Sequence, residues 1–328
     1  MEPSVAVLVP VLNNAKTIRK CIDSLLQQDY NNLHIHLIDA FSHNGTAEIV
    51  SEYERMYPET ITVTRMQSNV SVAYNHIMSK LHNVFVAFID ADAYAERDWL
   101  TTLVSALNNP DIVGAGGLVL TANPENPISR AIGMELTDRF LKMPKLCTRF
   151  PTVNFVIRNN AFKVRFDETL DTNFDTEFCY ELLECGMKLK YEQRAIVHHY
   201  HRETLTRYFR QQFHYGVNAV KVYFKHFSLL IGDTKTPSHM FLQPVMWYGV
   251  GLNLILSPLG FHHLIISVAL ASGLVVFLAK SSIDIARKYD GSTKYLLIIM
   301  LVRSVAWALG GLYGVIKFSF RIVRVHLP

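Results

Sequence analysis

From Met240 to Phe320 the chain is largely apolar, whereas residues 1–235 mix charged and apolar positions as a water-soluble domain does. A backbone in hydrocarbon must satisfy its own N–H and C=O groups, and roughly 20 consecutive apolar residues make one helical crossing. The tail is therefore expected to be helical, in three segments near 240–257, 261–279 and 295–320, the first bracketed by Pro244 and Pro258. The connector Leu259 to His263 is uncharged, but Lys280 to Lys294 holds Lys280, Arg287, Lys288 and Lys294. By the positive-inside rule that second connector is cytoplasmic. Three spans are expected, although the third segment also reads as two half-helices or a membrane-lying stretch, because Arg303 lies within it and Lys317, Arg321 and Arg324 follow. A charge within a span costs about 2.5–3.5 kcal/mol on insertion scales, so Arg303 is expected to meet a lipid phosphate or to snorkel to the interface.

The part before the tail is large enough for a catalytic domain. A net charge of +4 without a run of Lys and Arg excludes a nucleic-acid-tracking arm and leaves anionic lipid as the fitting partner. The four cysteines, Cys21, Cys147, Cys179 and Cys185, form no CxxC pair, so they read as buried thiols in a reducing compartment. VAVLVPVL (Val5 to Leu12) is only eight residues long, lacks a basic flank and contains Pro10, so it reads as a buried strand and not as a signal peptide. A cytoplasmic head at a cell membrane, anchored by several spans, is the expectation.

Residues 5 to 120 alternate strand-like and helix-like segments. SVAVLVPV, HIHLIDA, ITVTRM and NVFVAFID read as strands. The intervening stretches Ala15–Gln28, Gly45–Met56 (entered through Asn44 and Thr46), Val70–Leu81 and Asp98–Leu107 carry helical apolar spacing. That rhythm predicts an α/β fold with a doubly wound, mostly parallel sheet, which binds ligands beyond the carboxyl ends of its strands. A looser segment, Thr121 to Phe150, holds Pro124, Pro127 and Pro144; after it come a strand-like TVNFVIRNNAF, a helix NFDTEFCYELLECG ended by Gly186, and a strand running into HHYHRETL. From Leu205 to Phe227 apolar residues line one helical side and Arg207, Arg210, Lys221 and Lys225 another, the build of an interfacial helix or of an amphipathic helix packed on a core.

The polar residues at the strand ends are Asn13 and Asn14, Asp39, and the pair Asp90 and Asp92 in FIDADA. Two carboxylates at i and i+2 can converge on a hard cation such as Mg2+ or Mn2+, which completes its shell with water and phosphate oxygens. Alone, the same motif also reads as an ordinary polar strand end. Asp175 reads either as a carboxylate available for proton transfer or as a helix N-cap.

Taken in order, VLVPVLNNAKTIRKCIDSLLQQDY, LHIHLIDAFSHNGTAEIV, FIDADA, NFVIRNNAF and FDTEFCYELLECGMKLKY resemble glycosyltransferase family 2, whose catalytic domain has the GT-A fold, over about residues 5 to 216. The resemblance implies an inverting, metal-dependent transferase that uses a UDP- or GDP-sugar donor. It implies that Asp39 takes the uracil or guanine edge and Asp90 the ribose, with Pro10, Asn13 and Asn69 also in the donor site. Asp92 takes the metal, Mg2+ or Mn2+, and His199, chosen over His201, completes its shell. Asp175 falls on the catalytic base. The chain departs from the pattern at Ala40, Asn44, Tyr74, Phe174 and Glu181.

With the apolar tail, a lipid-linked or polyprenyl-phosphate acceptor is expected. The implied layout is a transferase domain over 1–202, an interfacial helix over 203–235 and a membrane region over 236–328. His214 and Tyr215 in QQFHY stand where processive members carry Arg and Trp, which favours single addition over a polysaccharide synthase. A non-catalytic nucleotide-binding membrane subunit is the alternative from another class, separable by assay with a nucleotide-sugar panel.

Overall fold

The computed structural model describes residues 2–159 and 163–325, with side chains as far as Ser319. It divides into two compact units, Met1–Ala122 with Arg139–Tyr200, and Asn123–Asp138 with His201–Pro328.

The first unit is built on a nine-stranded sheet. Its N-terminal half runs β1 (Val5–Val11), α1 (Ile18–Leu26), β2 (Leu33–Asp39), α2 (Thr46–Met56), β3 (Ile61–Arg65), α3 (Val70–Met78) and β4 (Phe85–Phe88). There follow β5 (Ala93–Ala95), α4 (Trp99–Ala106), β6 (Ile112–Thr121), α5 (Pro127–Leu141), β7 (Leu146–Cys147), β8 (Phe155–Arg158), α6 (Phe174–Glu184) and β9 (Lys188–His199). The strand order is β3-β2-β1-β4-β8-β6-β9-β5, with β7 on β9. The long ladders (β1 with β2, β2 with β3, β6 with β9) are parallel, and the antiparallel ones through β8, β5 and β7 are short. The result is the mostly parallel α/β sheet expected.

Each element follows from its residues. β1 is apolar almost throughout and buried along nearly its whole length, as a central strand covered on both faces must be. α1 buries Ile18, Cys21, Ile22 and Leu25 at helical spacing. At the end of α6, Gly186 adopts a left-handed φ of 75°, and the Gly186 and Met187 N–H groups donate back to Leu183 and Leu182, so glycine ends the helix as predicted.

Three local expectations are corrected. The proline-bearing segment after β6 contains the helix α5: Asn126 Oδ1 accepts the N–H groups of Ile128 and Ser129, and Pro127 opens the helix, where its missing N–H is harmless. α2 is entered through Gly45 at φ 89° with no side-chain cap; Asn44 instead donates to the Asn13 carbonyl. Asp175 is not an N-cap, because Asn173 at φ 62° holds that position and Asp175 lies in the first turn of α6. The strand expected at NFVIRNNAF is β8, and Asn160, Ala161 and Phe162 lie outside the described residues. Among the described residues the four cysteines form no disulfide; Cys21, Cys147 and Cys179 are buried, but Cys185 is exposed.

The second unit gathers α7 (Leu205–Lys225), α8 (Ser238–Leu256), α9 (Phe261–Tyr289) and α10 (Thr293–Val325) with the first turns of α5. Three of its helices, over Ser238–Leu259, Phe261–Tyr289 and Thr293–Ser319, are long and apolar enough to cross a membrane. The third is one continuous helix, not two halves. Most of the expected connector Lys280–Lys294 is the end of α9, and the turn between α9 and α10 is only residues 290–292. The Arg321 and Arg324 side chains lie outside the described ones.

α7 buries Tyr208, Gln212, Gly216 and Val222, and a Cβ on Gly216 would stand 2.9 Å from the Trp307 carbonyl oxygen of α10. That approach is possible only without a side chain. Arg303 neither snorkels nor waits for a lipid: its guanidinium lies 2.7 Å from Glu135 of α5, with both side chains at least 94% buried. The sequence offered no sign of this partner, 168 positions away.

Candidate active site

The strand order places β1 beside β4 at the centre of the sheet, with β2 and β3 running outward on one side. This is the point where the winding direction reverses and a crevice opens beyond the strand ends. The β1–β4 ladder stops at Leu8, two residues before Pro10, which still pairs with Ile38 of β2.

Beyond β1, Asn13 takes a left-handed φ of 57° and knots the ends of β1 and β2 together. Its N–H donates to Ser42 Oγ at 2.9 Å, its Oδ1 accepts the His43 N–H at 3.0 Å, and its carbonyl accepts from Asn44 Nδ2 at 3.0 Å. At the end of β2, Asp39 is fully buried. Its Oδ1 accepts the Ser42 N–H at 3.0 Å. Its Oδ2 has no hydrogen-bond partner, and the nearest cation, Arg65 Nε, is 3.9 Å away. A buried carboxylate oxygen left in this state is costly unless a donor arrives from outside the chain, which is what the N–H edge of a nucleobase supplies. Leu12 and Phe41, each 57% exposed, stand at these same strand ends, and Phe41 also has a left-handed φ of 58°. Sequence reasoning passed over Leu12 and Phe41; bulky residues between polar ones at a strand end were the only signal.

The FIDADA motif runs from the last residue of β4, Phe88, through a turn into β5: Ala93 N–H donates to the Asp90 carbonyl at 3.0 Å, and β5 begins at Ala93. α1 fixes the turn from one side, with Thr17 Oγ1 donating to the Ala91 carbonyl at 2.9 Å and Cys21 Sγ to the Asp90 carbonyl at 3.6 Å. β5 pairs antiparallel with β9, setting Ala93 opposite His199, and Tyr200 N–H donates to the Asp92 carbonyl at 2.9 Å. His199 Nε2 thereby comes 3.1 Å from Asp92 Oδ1. Ligand atoms of Asp90, Asp92 and His199 all lie within 4.8 Å of one another, and all three residues are half-buried. Two carboxylates and one imidazole, open on one side, fit a divalent cation that keeps positions for phosphate oxygens. His201, the histidine not chosen, is buried and its N–H donates to Asn123.

Asp175 is half-buried, and its Oδ1 accepts the Thr176 N–H at 2.7 Å, leaving Oδ2 outside that bond. Tyr74, which stands at a departure from the family pattern, links Asp175 to the turn. Burial pushes its hydroxyl well above the usual tyrosine pKa, and the negative charges of Asp90 and Asp175 both add to the effect. One buried phenol therefore feels both carboxylates. The same cause acts on Cys21, whose thiol is raised by burial first and then by Asp90 and Asp92. Asn69 behaves differently from the other candidates. It is the N-cap of α3, accepting the Val72 N–H at 2.9 Å and donating to the Glu168 carbonyl at 2.7 Å, so both ends of its amide are engaged in the fold.

Residues 6–170, half of the chain, match the model of glycosyl transferase family 2. A pre-mycofactocin glycosyltransferase of Mycobacterium tuberculosis is 28% identical over 68% of this chain and 48% of its own length. The chain thus spans about half the length of that curated relative. A dolichyl N-acetyl-alpha-D-glucosaminyl phosphate 3-beta-D-2,3-diacetamido-2,3-dideoxy-beta-D-glucuronosyltransferase of Methanococcus voltae is 23% identical over 65% of this chain and 71% of its own. Among solved structures, a mannosyltransferase from Pyrobaculum calidifontis, in complex with GDP-Man and Mn2+, superposes with a TM-score of 0.62 at 17% identity, over 95% of this chain and 88% of the other. That likeness is one of fold.

Proposed function

Because the chain belongs to glycosyl transferase family 2, we propose that it transfers one sugar from a UDP- or GDP-sugar to a lipid-linked or polyprenyl-phosphate acceptor, with inversion at the anomeric carbon. The observation that carries this reading is the convergence of Asp90, Asp92 and His199 within 4.8 Å at the crevice of the sheet. In this reading Asp39 Oδ2 accepts an N–H of the base, and Asp90 holds the ribose. Asp92 and His199 would hold Mg2+ or Mn2+, which when bound neutralises charge on the departing diphosphate. Pro10 and Asn13 shape the rim of the donor site; Asn69 contributes by capping α3.

The bond that forms joins an acceptor oxygen to the anomeric carbon, and the bond that breaks joins that carbon to the diphosphate, which leaves with the electron pair. Where the acceptor is a hydroxyl of a lipid-linked glycan, its proton goes to the Asp175 carboxylate. Asp175 stands in the first turn of α6, with its Oδ2 outside the bond to the Thr176 N–H, so that oxygen can take a proton.

A lipid-borne acceptor is supported by three helices able to cross a membrane in the same chain and by the dolichyl phosphate compound in the M. voltae relative's name. The corresponding layout is a transferase domain over 1–202, an interfacial helix over 203–235 and a multi-pass region over 236–328. The head then lies on the cytoplasmic side of the cell membrane. The test is Asp175→Asn. Transfer should fall by about 10²–10⁴-fold, the usual worth of a general base, while calorimetric binding of the nucleotide-sugar persists. Unchanged turnover sinks the assignment.

A further inference from the structure

The second unit contains a cavity of about 340 Å3, within the size range of small-ligand pockets. One wall is the start of α5 with the residues before it, contributing Glu125, Arg130 and Met134; the other is the α9–α10 turn with Ser292 and Tyr295. The two walls are tied together. Arg130 Nη2 donates to the Asp290 carbonyl at 3.0 Å, and Lys288 Nζ donates to Asp138 at 2.9 Å. The turn packs close under α5: a Cβ on Gly291 would stand 2.5 Å from Met134 Sδ, and the Met134 side chain would have to move aside for it. Asp290, at a left-handed φ of 50°, bends the chain there.

α9 and α10 are both candidate spans, and three residues join them. A pair that crosses a bilayer together puts this turn at one surface, at headgroup depth. The walls differ in character: Pro127, Ala131 and Met134 are apolar, whereas Arg130, Ser292 and Tyr295 offer donors. The bond to Asp290 uses one of the five N–H groups of the Arg130 guanidinium, a fork suited to phosphate. Arg130 is the one cation among the described residues lining the cavity, and the carboxylates of Glu125 and Asp290 line it too. That balance disfavours a purely anionic headgroup and matches a zwitterion.

We propose that this cavity binds the headgroup of a zwitterionic aminophospholipid, its phosphate on Arg130 and its ammonium on Glu125. The site is separate from the carboxylate cluster and rests on the membrane insertion proposed above for α9 and α10.

The test is native mass spectrometry of the full chain released from detergent, titrated with phosphatidylethanolamine, phosphatidylglycerol, free phosphoethanolamine or inorganic phosphate. Phosphatidylethanolamine should bind one to one and at least tenfold tighter than the other three. Arg130→Ala should weaken it about tenfold, and Glu125→Gln should retain lipid but abolish the preference for phosphatidylethanolamine over phosphatidylglycerol. Both residues are exposed, so the variants should keep the wild-type elution volume and circular dichroism. Equal binding of the two lipids by the wild type, or an Arg130→Ala variant that binds as the wild type does, overturns the proposal. Equal binding of soluble phosphoethanolamine overturns the lipid as ligand. A chain that stays monodisperse without detergent overturns the membrane reading itself, whereas one that needs detergent but shows no Arg130-dependent lipid overturns only this inference.

Discussion

Removal of one partner from the Arg303–Glu135 pair should destabilise the second unit more than removal of both. The two charges are 2.7 Å apart, with side chains 3% and 6% exposed. At an effective dielectric of about 20 their attraction is ~6 kcal/mol, comparable to the several kcal/mol each ion loses on leaving water, so the pair as a whole contributes little net stability. Glu135→Gln alone strands a buried guanidinium and should cost about 3–5 kcal/mol. The ring of Trp307, 5.3 Å from the guanidinium carbon, offsets at most about 2 kcal/mol of that. The double variant Glu135→Leu/Arg303→Met replaces two charges by apolar volume and should fall within about 1 kcal/mol of wild type or above it. The assay is denaturant unfolding in detergent micelles, followed by tryptophan fluorescence for wild type, both single variants and the double. A single variant costing less than about 1 kcal/mol, or a double variant as unstable as the sum of the singles, would refute the reasoning.

Asp92→Asn and His199→Ala should each weaken Mn2+ binding by at least tenfold, measured by electron paramagnetic resonance; unchanged affinity removes them as ligands. His36 titrates near 4 because burial, and secondarily His34, disfavours its charged form. The unfolded chain therefore binds the extra proton first, and stability should fall as pH drops from about 6.5 to 4, by ~1–2 kcal/mol once partial exposure is discounted. His36→Gln should flatten that slope in pH-dependent thermal melts. Gly310→Leu would drive a side chain into the Phe213 carbonyl of α7 and should cost about 1–3 kcal/mol, whereas Gly251→Ala, with nothing near its added carbon, should melt as wild type does.

The sheet was legible because its strands are apolar runs stopped by polar residues and its helices carry apolar residues at helical spacing, both strictly local signals. α5 was not, because Pro127 looks like a helix breaker until it is seen at the first helical position, behind the Asn126 cap. In the candidate site, Asp39, Asp90, Asp92 and His199 could be named from strand ends and motif order. Asn69 serves the fold as the N-cap of α3, a role that a sequence cannot separate from ligand binding because both call for an asparagine. Thr17 was invisible as a support, since holding a turn in place leaves no periodic trace.

An α/β head, an apolar helical tail and the chemical types at the strand ends are written in the local pattern of residues, because burial and backbone hydrogen bonding act over a few neighbouring positions. Long-range packing is what brings His199 to Asp92 across the β5–β9 pairing, sets Tyr74 in the field of both Asp90 and Asp175, and holds Arg303 against Glu135. His199 and Asp92 stand 107 positions apart, Tyr74 and Asp175 101, and Arg303 and Glu135 168, and the strand register and helix packing that bring them together are properties of the folded whole.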